Sequence, residues 1–158
     1  MADHPLYLLD TNVLVATIRA GALGQHIDET YKTRQARFKP LISVVSLGEM
    51  LSLARQFGWG AKKTAEIGRL VENLVVEDIN TPEILAAYAE IDHASRVGGR
   101  KMGKNDVWIA ATAQVAGATL LTTDKDFDHL SAASQLHKPG MPVIRLTWIN
   151  PDHRSASV

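Results

Sequence analysis

The pattern of hydrophobic and polar positions predicts five short strands alternating with helices. Leu6 to Leu9 is a continuous apolar run, which is typical of a buried strand. Thr81 and Pro82 form an N-cap and N1 pair that starts a helix. The predicted strands are 6–9, 40–45, 74–77, 118–121 and 141–146, the predicted helices are 13–20, 27–38, 46–56, 61–73, 82–94 and 105–116, and Gly21 and Gly24 are expected to mark a loop.

One predicted helix differs from the others in having no polar face. Val107 to Ala116 is almost wholly apolar, rich in alanine and free of glycine and proline. A helix that is apolar on every side is expected to be buried on every side. Asn105 stands where this helix would begin, as a favoured N-cap, and Gly117 is placed to end it. This helix and the strand after it are therefore expected to form the centre of the core.

Strands that alternate with helices favour a parallel sheet that is covered on both faces. The chain contains no internal repeat, low-complexity segment or dividing linker, and its 158 residues are enough for one domain with a substantial core. We therefore predict a single α/β domain over residues 1–150, with a central parallel β-sheet flanked by helices in an α/β/α sandwich. Residues 151–158 are expected to form a polar tail.

Composition and charge exclude several classes of function. Lys plus Arg equals Asp plus Glu at 17 each, so any nucleic-acid binding must come from a local basic patch. The absence of cysteine excludes disulfides, thiolate zinc sites and a cysteine nucleophile. No apolar run approaches the roughly 20 residues of a membrane span, and the first residues lack the pattern of a signal peptide. A cytoplasmic protein that does not enter the membrane is therefore expected.

Acidic residues recur at equivalent places in the predicted fold. Asp10 follows the first strand, Glu49 comes just after the second, Asp124 follows the fourth, and Asp106 lies at the start of the apolar helix. Parallel strands share their C-terminal edge, where ligands bind in open α/β sheets. Carboxylates so close together raise one another's pKa values, and a divalent cation would relieve that repulsion. Oxygen-only ligands favour Mg²⁺ or Mn²⁺, and Mg²⁺ held in this way commonly serves phosphate chemistry.

Each of these acids also has a purely structural interpretation. Asp10 is a plausible helix cap, Ser46-x-x-Glu49 has the form of a capping box, and Asp106 in a first helical turn complements the helix dipole. Asp124 and Asp126 suit Asx-turns. None of these interpretations predicts that the acids share one edge of the sheet, so their convergence favours a functional site.

Four segments resemble the acidic motifs of PIN-domain nucleases, and most of all those of VapC-type ribonuclease toxins of bacterial toxin–antitoxin modules. The segments are LLDTNVLV, SVVSLGEML, KNDVWIAATA and LLTTDKDF, and they follow the order of the family from about Leu6 to Asp128. The resemblance implies a Mg²⁺- or Mn²⁺-dependent endoribonuclease that forms a homodimer. It also implies a cognate antitoxin protein that occupies or distorts the site.

The resemblance assigns roles to the acids. Asp10, Glu49, Asp106 and Asp124 would form the catalytic quartet, with Asp10, Asp106 and Asp124 as metal ligands and Glu49 acting through a water or a second metal. Asp126 or Asp128 would supply a further acid of the last motif, and the sequence does not choose between them. Asn12 and Thr123 are expected to hydrogen-bond to the ligands.

The hypothesis drawn from these residues is metal-assisted hydrolysis of RNA phosphodiester bonds. Arg96, Arg100, Lys101 and Lys104 precede Asp106 in a glycine-containing loop, which either holds RNA phosphates or is a solvated loop. Trp108 lies in the apolar helix and is expected in the core.

Other classes of protein fit the sequence less well. A haloacid-dehalogenase phosphatase needs a second aspartate where this chain has Asn12, and a two-component receiver usually shows paired acids after its first strand. A PIN-like module that binds RNA or a protein without cutting is the remaining alternative, and the intact quartet argues against it.

Overall fold

The computed structural model describes residues 5–33 and 38–152 as an α/β fold with one central parallel sheet. The strands within these ranges are β1 (Tyr7–Leu9), β2 (Leu41–Ser43), β3 (Val75–Glu77), β4 (Thr119–Thr122) and β5 (Arg145–Trp148). Their order across the sheet is β3-β2-β1-β4-β5, and every pairing is parallel. The predicted fold class is confirmed.

In the described part of the chain, six α-helices cover the two faces of the sheet, so the fold has three layers. They are α1 (Thr11–Arg19), α2 (Ala22–Tyr31), α3 (Val44–Gln56), α4 (Ala61–Glu72), α5 (Pro82–Val97) and α6 (Lys104–Ala116). Because successive strand residues point to opposite faces, Leu8 and Leu120 pack with α5 and α6 in one core cluster, whereas Leu9 and Leu121 pack with α1 to α4 in the other. A 3₁₀ helix, Lys125–Leu130, follows β4.

The apolar helix α6 is buried along its central part, as predicted. Val107 and the residues from Ile109 to Ala113 are almost inaccessible to solvent. The prediction of burial on every side fails at Val115, which is 43% exposed near the end of the helix. Gly117 ends α6 in the left-handed region at φ 63°, as expected for a glycine C-cap.

The predicted loop is confirmed at Gly21, which lies between α1 and α2 as the N-cap of α2, but it is wrong at Gly24, which lies inside α2. A Cβ atom built on Gly24 would stand 2.4 Å from the carbonyl oxygen of Ala16. Glycine is needed here because α1 and α2 approach closely, rather than because the chain turns. The helix ends at Tyr31, with Lys32 in the left-handed region, and residues 34–37 of the predicted helix 27–38 lie outside the described residues.

The last strand lies later in the chain than predicted. Residues 141–146 were expected, but β5 runs from Arg145 to Trp148 and pairs in register with Thr119 to Thr122. Pro142 has no N–H to donate to a strand ladder, and the N–H of Ile144 donates to the carbonyl of Leu130, the last residue of the 3₁₀ helix. Of the tail predicted at 151–158, residues 151 and 152 form a turn and the others lie outside the described residues.

No helix among the described residues is both long and apolar enough to cross a membrane.

Candidate functional site

The carboxyl ends of β1 and β4 bring Asp10 and Thr122 together. Asp10 is only 4% exposed and caps α1, with Oδ1 accepting from the backbone N–H of Thr11 at 2.8 Å. The other oxygen, Oδ2, accepts from the hydroxyl of Thr122 at 2.7 Å. Asp10 therefore serves as the helix cap that the structural interpretation predicted and also lies at the shared edge of the sheet.

Thr122 also connects Asp10 to the acidic segment that follows β4. Its Oγ1 accepts from the backbone N–H of Asp124 at 3.0 Å. Asp124 in turn caps the 3₁₀ helix, with Oδ1 accepting from the N–H of Asp126 at 2.9 Å. These two hydrogen bonds fix the start of the acidic segment against β4.

Asp106 reaches the same edge from the other direction, in the first turn of α6. Carboxylate oxygens of Asp106, Asp124 and Asp126 all lie within 4.8 Å of one another. Asp128, the other candidate from the last motif, instead lies 3.9 Å from the ammonium of Lys125. The geometry therefore favours Asp126 over Asp128 as the additional acid.

Glu49 enters the site from α3. Its Oε1 accepts from the hydroxyl of Thr11 at 2.7 Å, and its side chain lines an open cleft with Gly103, Lys104, Asn105 and Asp106. The capping-box interpretation of Glu49 is wrong because α3 begins earlier than predicted, at Val44 with Ser43 as its N-cap.

The electrostatics of the site reflect crowded carboxylates. Burial, together with the charges of Asp10, Asp124, Glu49 and Asp126, raises the pKa of Asp106 from 3.8 to about 7. Burial also raises the pKa of Asp10, and Asp124 and Glu49 add to the effect, although the hydrogen bonds from Thr122 and Thr11 oppose it.

No basic side chain in the described ranges is seen in an ion pair with these acids. The pairs found there join Arg96 to Asp92 and Lys125 to Asp128. The acidic cluster therefore carries negative charge that the surrounding side chains do not neutralise by direct pairing.

A divalent cation fits this arrangement. The donors are carboxylate oxygens alone, a set that suits hard ions such as Mg²⁺ and Mn²⁺. The close group of three acids includes two of the predicted metal ligands, Asp106 and Asp124, with Asp126 as the third. Asp10 lies outside that close group but near enough to raise the pKa of Asp106 by its charge.

The residues that hydrogen-bond to the acids are sequence neighbours of the predicted ones. Asn12 and Thr123 were predicted, whereas Thr11 and Thr122 make the bonds. Asn12 is exposed, and the Thr123 carbonyl accepts from the indole N–H of Trp148. The sequence held a signal for Thr122, because side chains alternate along a strand and Thr122 therefore points to the same face of the sheet as Leu120.

The basic loop ends close to the acids. The N-cap of α6 is Gly103, two positions before the predicted cap Asn105, which is wrong. Lys104 is the first residue of the helix and lines the cleft. Arg100 and Lys101 are exposed. Trp108 packs against the core, with its ring centroid 4.0 Å from that of Tyr88, as expected.

The fold and the site together define an α/β domain with carboxylates gathered at the C-terminal edge of its sheet. A family model described as the PIN domain matches residues 7–133. The chain therefore belongs to the PIN domain family. No curated protein sequence matched the chain.

Several solved structures share the fold. VapBC2 from Rickettsia felis, bound to a DNA fragment from the promoter, has a TM-score of 0.71 at 20% identity, over 90% of this chain and 97% of that chain. VapBC-1 from nontypeable Haemophilus influenzae has a TM-score of 0.70 at 22% identity, over 90% of this chain and 97% of that chain. VapBC-5 from Mycobacterium tuberculosis, a member of the VapBC family of toxin–antitoxin systems, has a TM-score of 0.57 at 22% identity, over 89% and 99%.

Proposed function

We propose that the protein is a Mg²⁺- or Mn²⁺-dependent endoribonuclease and the toxin of a toxin–antitoxin pair. The observation that carries the proposal is the cluster of carboxylates at the sheet edge, where Asp106 has a pKa of about 7 and no basic side chain among the described residues forms an ion pair with the cluster. Membership of the PIN domain family and the likeness to VapBC structures support it.

Asp10, Asp106 and Asp124 would hold the cation, with Asp126 beside them. A bound ion supplies a Lewis acid next to the scissile phosphate. The threonines fix the acids before any ligand arrives, since Thr122 donates to Asp10 and Thr11 donates to Glu49. Such preorganisation matters because a catalytic group that is already oriented needs no rearrangement during the reaction.

The RNA would approach along the cleft between α3 and the start of α6. Lys104 and Asn105 line this cleft beside Asp106, and it adjoins a second open groove that Asn105 lines with Ser52 and Gln56 of α3. Arg100 and Lys101 lie exposed in the loop before it. Basic side chains there would hold phosphates, while the neutral polar groups would contact sugars or bases.

Two protein partners complete the proposal. A groove between α1 and α4 is a candidate surface for the antitoxin, and it is lined by Thr17, Ile18, Ala20, Glu66, Arg69, Leu70 and Asn73. The apolar residues Leu51 and Phe57, at 48% and 50% exposed, are candidates for a homodimer interface.

Cleavage of total RNA by purified, antitoxin-free protein tests the function. The reactions contain Mg²⁺, Mn²⁺ or EDTA, and they compare the wild type with Asp10→Asn, Asp106→Asn and the control Asp128→Asn. Asp128 is a suitable control because it lies on the same acidic segment but outside the close group of acids.

We expect metal-dependent endonucleolytic cuts from the wild type and from Asp128→Asn, and a loss of about 100-fold or more in the other two variants. Equal cleavage by Asp106→Asn would contradict the assigned site. Metal-dependent binding of RNA by a folded wild type without any cleavage would instead support a binding module.

A further inference from the structure

His129 is a buried titratable side chain that the proposed reaction does not use. It lies in the 3₁₀ helix that carries Asp126, and it is 2% exposed. Its Nε2 is 2.9 Å from the hydroxyl oxygen of Ser95 on α5. The ring also makes a hydrogen bond with the backbone of Asp126. His129 therefore joins the acidic segment directly to a different layer of the fold.

The protonation state of His129 follows from its surroundings. Burial, and then the positive charge of Arg100, lowers the pKa of its imidazole, so the neutral ring dominates at neutral pH. The backbone contact with Asp126 favours the charged ring, which means that the ring donates to the Asp126 carbonyl. A neutral imidazole has one donor and one acceptor. Since Nε2 faces Ser95, Nδ1 carries the proton and the Ser95 hydroxyl donates to Nε2.

Ser95 also contacts the segment that leads from α5 to Asp106. It is 1% exposed. Its carbonyl accepts from the N–H of Arg100 at 2.7 Å, and its hydroxyl oxygen lies 3.4 Å from the sulfur of buried Met102. Gly103, the N-cap of α6, follows directly. One buried contact thus fixes the backbone of Asp126 on one side and the approach to Asp106 on the other.

We propose that Ser95 and His129 are positioning residues that set the separation of Asp126 and Asp106 for cation binding. The proposal rests on the metal site of the proposed function. A hydrogen-bonded pair this deeply buried also stabilises the fold, because an unpaired buried polar group is costly. What distinguishes positioning from simple stabilisation is an effect on cation affinity beyond the effect on unfolding.

Three variants distinguish the Ser95–His129 hydrogen bond from the contact between His129 and the Asp126 backbone. Ser95→Ala removes the donor to Nε2 and leaves an alanine in a helix. His129→Gln loses the ring donor that faces Asp126. His129→Asn can still donate to the Asp126 carbonyl from its amide while losing the bond to Ser95. Ile91→Val is the matched control, because Ile91 is 0% exposed on the same helix, one turn before Ser95.

Isothermal titration with Mn²⁺, together with urea unfolding of the same samples in EDTA, gives the two readouts. We expect Ser95→Ala and His129→Gln to weaken Mn²⁺ binding about 10-fold, His129→Asn to fall between His129→Gln and the wild type, and Ile91→Val to bind like the wild type although it is less stable. If His129→Gln does not fold, Ser95→Ala and His129→Asn carry the test.

Unchanged Mn²⁺ affinity in Ser95→Ala and in the folded His129 variants would overturn the positioning role and leave the proposed function intact. A wild type that binds no Mn²⁺ would overturn the metal-dependent function, and the positioning role with it. A variant that loses affinity only in proportion to its stability, as judged against Ile91→Val, would also overturn the proposal.

Discussion

Asp106 is an ionisable side chain in surroundings that disfavour its charged form. It is partly buried, and it faces the charges of Asp10, Asp124 and Glu49, so that its pKa is raised to about 7. A carboxyl group with a raised pKa destabilises the folded state once it is ionised. The structure retains this unfavourable arrangement, which is typical of functional sites rather than of structural ones.

The pH dependence of metal-free unfolding tests this charge crowding. The folded state keeps the proton on Asp106 up to about pH 7, whereas the unfolded state loses it near 3.8. Stability from this group is therefore fully present below pH 3.8 and declines as pH rises towards about 7.

In EDTA, Asp106→Asn should gain stability relative to the wild type as pH rises, by about 1 to 2 kcal/mol at pH 8 once solvent screening is taken into account. Urea unfolding at several pH values measures the difference, and Asp128→Asn should show no comparable trend. A difference between Asp106→Asn and the wild type that does not change with pH would contradict the raised pKa.

Thr122 offers a second test at this scale, because its hydroxyl both donates to Asp10 and accepts from the Asp124 N–H. Thr122→Val keeps the shape and removes both bonds. We expect a loss of about 1 to 3 kcal/mol in unfolding free energy and about 10-fold weaker Mn²⁺ binding.

Thr112→Val is the matched control for Thr122→Val. Thr112 is equally buried, but its hydroxyl donates only to the Trp108 carbonyl within α6. This variant should leave Mn²⁺ affinity unchanged in isothermal titration. Equal Mn²⁺ affinities in the two valine variants would show that Thr122 does not orient the acids.

The sequence predicted which acids meet but not which neutral residues hold them. Motif order and strand ends are enough to bring Asp10, Glu49, Asp106 and Asp124 to one edge. The choice between Thr122 and Thr123 depends on which residue of β4 points towards β1, and that depends on strand register. Register is determined by packing across the whole sheet.

At the scale of elements, α1 and α2 show how a glycine can be misread. Gly24 suggests a break between helices, yet it lies within α2. Glycine is required there because any Cβ atom would collide with the Ala16 carbonyl. Close approach between helices depends on tertiary packing that local sequence does not reveal. Terminators such as Gly117 were predictable, because a left-handed C-cap has a local signature.

Alanine substitutions at two helical glycines test that interpretation. Gly24→Ala should destabilise the protein by about 2 kcal/mol, because the new Cβ would overlap the backbone of α1. Gly68→Ala in α4 should stabilise it by about 0.5 to 1 kcal/mol, because the added Cβ would meet no atom within 4 Å beyond its chain neighbours and the nearby backbone of its own helix. Thermal or urea unfolding distinguishes the two. A Gly24→Ala variant as stable as the wild type would contradict the close packing of the helices.

At the scale of the whole molecule, strand order brings the acids together. β1 lies at the centre of the sheet between β2 and β4, so Asp10 lies between the elements that carry Glu49 and Asp124. The direction of strand connections reverses between β1 and β4, and ligands bind at such points in open sheets. The alternation of strands and helices predicted a parallel sheet, but it did not predict this order, which depends on long-range pairing.

The proposed homodimer is tested by the oligomeric state in solution. Light scattering coupled to size exclusion should give about twice the 17.2 kDa of the chain. Leu51→Lys, on the exposed face of α3, should shift the protein to monomer, since burying a lysine charge at an interface is unfavourable. Val143→Lys, equally exposed before the opposite edge strand, should remain dimeric. A wild type that stays monomeric at high concentration would contradict the homodimer.

The most direct test of the central claim is a crystal structure of the protein grown with Mn²⁺, with the ion located from its anomalous scattering. We expect an anomalous peak coordinated by carboxylate oxygens of Asp106 and Asp124, with Asp10 or Asp126 completing the protein ligands, and no such peak in crystals of Asp106→Asn. A peak that is absent from the wild type, or that lies away from the C-terminal edge of the sheet, would contradict a metal-dependent nuclease centre at these acids.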